Sequence, residues 1–186
     1  MRGERRAVLG LALVAAAQAA WFPLILGNPS ATVLAGAQVV GMVLATAGLA
    51  RGARGRGALA GGLALNAAGS LGFSLLFLNG DLSTGIQAVS TLAAVLAAWH
   101  ALLWAFEPRQ GALRAHGMRV AFWVSAVPQL LWLPYDVAAN TLQWVPGNVL
   151  ALAGFLLAAR HLPDPATAPS KGPGADPRAV PARTDS

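Results

Sequence analysis

Every lysine and arginine in this chain falls in alternate gaps between six apolar blocks. The blocks run over about residues 7–26, 30–50, 57–78, 82–106, 120–135 and 141–159. Around them, in order, lie MRGERR, GNPS, RGARGRG, NGD, EPRQGALRAHGMR, DVAAN and the tail from Arg160. All 13 Lys and Arg residues sit in the first, third, fifth and seventh of these connections. A span needs about 20 apolar residues to cross a hydrocarbon core of about 30 Å. Its backbone groups find no water there, so helices are the expected form. Cytoplasmic loops carry the Lys/Arg excess, which sets six crossings and puts both termini in the cytoplasm. Adding or removing one block would break the alternation from that point on.

The expected fold class is all-α: a polytopic integral membrane protein built as a six-transmembrane-helix bundle over residues 1–160. Only 11% of residues are charged and 56% are hydrophobic, too little polar surface to cover a soluble core of this size. The expected setting is the plasma (inner) membrane of a bacterium. The fifth block is the weakest, at 16 residues with Pro128 inside it, and it must recruit its flanks or thin the bilayer locally. The first block is long for a secretory signal and is expected to be retained. Residues 161–186 hold six of the 12 prolines and are expected to form a disordered cytoplasmic tail, being unable to bury enough apolar surface to offset ordering. The formal charge of +6 follows from the threading, so the lipid bilayer is the expected partner and nucleic acid is not.

Spans associate through close packing of small residues and interhelical hydrogen bonds, because lipid is as apolar as leucine. Suitable stripes are Ala37, Gly41 and Ala45 in the second span, Gly62, Asn66, Ser70 and Ser74 in the third, and Ser90, Ala94 and Ala98 in the fourth. Six short helices enclose little volume, which favours a homo-oligomer or a partner membrane subunit. Trp99, Trp104 and Trp123 fall near cytoplasmic ends, and Trp21, Trp132 and Trp144 near outer ends, where amphipathic rings favour the interface.

One polar phrase occurs twice. Gln18, Trp21 and Pro23 are matched by Gln129, Trp132 and Pro134 at a constant offset of 111. The first and fifth spans run in the same direction, so the two glutamines reach comparable depth, slightly past the midplane. The neighbouring spans carry Gln38 and Asn148. The first hairpin thus reads as a parallel repeat of the third, an arrangement in which transporters place sites at the repeat interface. Pro128-Gln129 is similar to the Pro-Gln dipeptide of PQ-loop sugar and amino-acid carriers, but the match covers two residues. Those carriers are built from three-helix repeats, and a first-to-fifth-span match does not divide six spans that way.

Polar groups at membrane depth mark functional interiors by default. The candidate cavity-lining residues are Gln18, Gln38, Asn66, Ser70, Gln129 and Asn148, drawn from five spans and all neutral. They could bind a small polar solute, or satisfy one another as interhelical hydrogen bonds. No Asp, Glu, Lys or Arg lies inside an expected membrane core; Asp81 and Asp136 read as solvated ends at the outer rim. The chain has no cysteine, which excludes thiolate metal sites and disulfides. His100, His116 and His161 lack ligand spacing, and no nucleophile stands beside a base. No metal, cofactor or enzymatic activity is expected. The expected function is a small permease or channel-like protein for a small polar solute; the alternative is a non-catalytic membrane subunit, assembly or scaffold protein.

Overall fold

The computed structural model describes residues 2–77, 80 and 82–162, apart from the side chains of Arg2 and Pro108. Asp81, read as a rim charge, and the tail beyond Leu162 lie outside the described residues. Six α-helices carry the fold: α1 (Arg2–Ile25), α2 (Pro29–Ala50), α3 (Arg56–Leu76), α4 (Leu82–Phe106), α5 (Gly111–Ala138) and α6 (Val145–His161). Short 3-10 turns lead into α3, α5 and α6. No strand occurs among the described residues. The chain is an all-α bundle of membrane-spanning type.

Local chemistry explains the helix ends. Asn28 caps α2 by accepting a hydrogen bond from the Ala31 amide at 3.1 Å, and Pro29 follows it, a pairing that suits an orphan donor and a preset φ. Five helices are long and apolar enough to cross a membrane. The exception is α5, whose apolar stretch is diluted by Pro128, Gln129, Pro134 and Asp136. It is nevertheless the longest helix, with 28 residues, or about 42 Å at about 1.5 Å per residue. No proline interrupts it between Gly111 and Arg119, so the fifth crossing draws its length from both flanks of the apolar block.

The helices form a closed ring in chain order. Each packs mainly against its sequence neighbours, and α1 closes the ring against α6. The α2–α3 seam is made by glycines. A Cβ added at Gly41 would lie 2.6 Å from the Asn66 amide nitrogen and 2.6 Å from the Gly62 carbonyl oxygen. Across α1–α6, a Cβ at Gly10 would lie 2.6 Å from the Gly154 carbonyl oxygen. Backbones this close give dispersion contact and short dipole–dipole distances, the terms that replace the hydrophobic effect inside lipid.

The outer wall of the ring is apolar: Val33, Leu75, Leu92, Trp99, Leu130 and Val137 are all exposed, as lipid contact requires. The inside differs between its two ends. Toward the arginine-bearing connections, Leu11, Met42, Leu49, Leu59, Leu63, Met118 and Phe122 are buried in one apolar plug. The opposite half is left unfilled.

Candidate functional site

That unfilled half is a cavity of about 650 Å³, well within the range of about 300–1,000 Å³ for small-molecule sites. Its floor is the plug face, formed by Val14, Met42, Leu63, Phe122 and Phe155, and its walls rise to Gly27, Asn28, Ser83, Thr84 and Thr141 at the arginine-free connections. The cavity opens toward that end.

Gln18, Gln38, Asn66, Ser70, Gln129 and Asn148 all line this one space, and none is more than 9% exposed. The reason is energetic: a neutral amide facing lipid would leave its donors and acceptors without partners, and the ring offers a single interior. Part of the set is internally satisfied. The Gln18 amide nitrogen donates to Asn66 Oδ1 at 2.8 Å, and the Asn148 amide nitrogen donates to Asp136 Oδ2 at 2.6 Å. Thr91 Oγ1 donates to the Ser70 carbonyl at 3.2 Å. Two acceptors are not: Gln18 Oε1 and Gln129 Oε1 are buried without a hydrogen-bond partner, as is the Trp21 indole N–H. Mutual pairing therefore accounts for only some of these side chains.

Asp136 corrects the sequence reading. It is no solvated loop end but 3% exposed and part of the cavity wall. The end of α5 explains this. Ala139 closes the helix and Asn140 follows with φ 56°, a left-handed conformation that asparagine tolerates. The Asn140 amide then donates to the Val137 carbonyl at 3.3 Å and the Thr141 amide to the Asp136 carbonyl at 2.8 Å, the paired bonds of a Schellman cap. This cap folds Thr141 back so that its hydroxyl donates to Asp136 Oδ1 at 3.0 Å. With Asn148 on Oδ2, each carboxylate oxygen accepts one bond from a neutral donor. No Lys, Arg, His or Glu occurs among the described lining residues.

The tryptophans add to the wall. Trp21, Trp132 and Trp144, placed toward the outer ends of their helices, line the cavity, whereas Trp99 and Trp123 are 57% and 51% exposed. Trp21 and Trp144 approach with ring centroids 6.3 Å apart, and Trp132 meets Tyr135 edge-on at 5.2 Å. Gly147 makes room for Trp21, since a Cβ there would fall on the indole nitrogen. Among the described residues, no group of three His, Asp or Glu side chains converges on a metal position. The chain matches no protein-family model, no curated protein and no solved structure.

Proposed function

We propose that this chain is a small permease or channel-like protein that takes a small polar solute into the cavity between its six helices. The observation that carries the reading is that Gln18 and Gln129, on helices that do not touch as ring neighbours, both line one cavity while their carbonyl oxygens are buried and unpartnered. A buried acceptor left without a donor costs about 1–3 kcal/mol, a penalty that a solute donor would remove. In this reading the protein lies in the plasma membrane, the arginine alternation puts both termini in the cytoplasm, and the cavity mouth faces outward. The apolar plug then closes the cytoplasmic side, so the arrangement is that of an outward-facing carrier, and passage requires the plug helices to part. The Gly41–Gly62 and Gly10–Gly154 close approaches lie between helices of this same chain, so these seams give no special support to a scaffold whose role is to dock foreign helices.

The test is solute uptake into proteoliposomes by the protein and by the double variant Gln18→Leu/Gln129→Leu. A panel covering neutral, cationic and anionic small solutes is needed, since the amides alone do not choose among them. At least one solute should be taken up, and the double variant should lower its rate by about tenfold or more while elution and helical content stay unchanged. Each lost hydrogen bond is worth about 0.5–1.5 kcal/mol. Uptake of every solute at the rate of empty liposomes would refute the reading, and so would a rate indifferent to both substitutions.

A further inference from the structure

We infer that the solute is a small organic cation, held by the Asp136 carboxylate and the aromatic rings that line the same cavity. This rests on the reading of the cavity as a solute site and narrows its chemistry. The lining residues carry one carboxylate and no basic side chain among the described residues, so an anion would find no cationic partner. Nor would the carboxylate of a zwitterion find one. Asp136 accepts from Asn148 and Thr141, both neutral, and no described Lys or Arg pairs with it. Two oxygens that each accept a bond are in the pattern an ionised carboxylate takes. A bound cation would balance the charge of such a group, which is 3% exposed and has no cationic partner among the described residues.

The neighbours indicate which kind of cation. Trp21, Trp132, Tyr135 and Trp144 share the cavity wall with Asp136, and aromatic faces attract alkylammonium groups through the ring quadrupole. A bare metal ion is a poor match, because a hard cation wants six or more oxygens at about 2.3–2.6 Å, and this space is wide and largely apolar. The independent sign of a ligand is the pair of unpartnered acceptors, Gln18 Oε1 and Gln129 Oε1, on side chains 8% and 6% exposed. Gln129 precedes Asp136 by seven residues, which is two helical turns and about 10 Å along α5. An elongated amine or amino alcohol would place its charge at Asp136 and its N–H or O–H donors toward the glutamines.

The experiment is equilibrium binding to the full-length protein in lipid nanodiscs, followed by calorimetry. The probes are choline, ethanolammonium and butane-1,4-diammonium, with 3,3-dimethylbutan-1-ol, the uncharged isostere of choline, and 3,3-dimethylbutanoate as its anionic counterpart. At least one cation should bind tenfold or more tighter than the neutral isostere, and Asp136→Asn should abolish that preference. Gln129→Leu should weaken the cation and the neutral isostere alike. The wild-type comparison stands even if Asp136→Asn fails to fold. Neutral or anionic probes that bind as well as every cation, with binding still dependent on Gln18 and Gln129, would overturn the cation assignment and leave the permease reading intact. Failure of all probes to bind would count against the solute site itself.

Discussion

Gly62→Leu should fail to give a stable, monodisperse protein, while Gly61→Leu, one residue earlier, should behave as wild type. The two glycines are neighbours in α3, turned about 100° from one another around the helix axis. A Cβ at Gly62 would fall on the Ala45 backbone nitrogen and 2.5 Å from the Gly41 carbonyl oxygen, whereas at Gly61 it would meet nothing within 4 Å. The obstruction at Gly62 is backbone, so no rotamer change relieves it; α2 and α3 must separate. Overpacking of a core typically costs about 1–3 kcal/mol, occasionally more, and a branched side chain wedged between two backbones belongs at the upper end. Against a total stability of about 5–15 kcal/mol, that is enough to lower the midpoint of unfolding in a denaturing-detergent titration substantially. The damage should also reach the cavity, because Asn66, the hydrogen-bond partner of Gln18, sits one turn beyond Gly62 on the same face. Equal stability of the two variants would mean that α2 and α3 do not meet through these glycines.

The second large effect is expected at Asn148→Leu. Its amide makes the shorter of the two side-chain bonds to Asp136, 2.6 Å against 3.0 Å from Thr141, and both partners are buried. Bonds to charged groups are worth about 1.5–3 kcal/mol, and the loss is larger when the abandoned group stays buried. Asn148→Leu alone should therefore destabilise by about 2–3 kcal/mol in the same titration. Asp136→Leu/Asn148→Leu should recover much of this, since removing both members of a buried polar pair is often close to neutral. A double-mutant cycle reads the difference as a coupling energy. Additive effects would show that the two side chains do not interact.

The contrast between residues that could be read from the sequence and those that could not has a physical basis. Gln18, Gln38, Asn66, Ser70, Gln129 and Asn148 were found by polarity alone, because in a chain surrounded by lipid a neutral amide has only the interior to turn to. Asp136 was missed because the apolar block ends at Tyr135, and a charged residue after a block reads as loop. The helix runs on to Ala138, and the seven-residue step from Gln129 puts Asp136 on the same inward face. That spacing was in the sequence; the Schellman cap that ends the helix only beyond Asp136 and folds Thr141 back onto it was not. That Trp21, Trp132 and Trp144 turn toward the cavity could not be read for a related reason. An amphipathic ring is equally content at a lipid interface or on a wet cavity wall, and only neighbours such as Gly147 decide between them. The order of the ring was also beyond sequence reading, since the Gly10–Gly154 closure depends on which of many small-residue faces meet. The repeat implied by Gln18-Trp21-Pro23 and Gln129-Trp132-Pro134 has no acidic counterpart: the position matching Asp136 is Ile25.

One cavity, lined in part by neutral amides, opens at the arginine-free end and is sealed at the other. The absence of native cysteine makes it directly measurable. Single cysteines would be placed by Ser70→Cys and Ser125→Cys on the cavity wall, Met118→Cys in the plug and Leu130→Cys on the lipid face. Each would then be exposed to a membrane-impermeant thiol reagent on one side of sealed, oriented vesicles at a time. Ser70→Cys and Ser125→Cys should be labelled from the arginine-free side only, with Met118→Cys and Leu130→Cys unlabelled from either. Labelling of the two wall positions from the arginine-bearing side, or from neither side, would contradict this one-sided access.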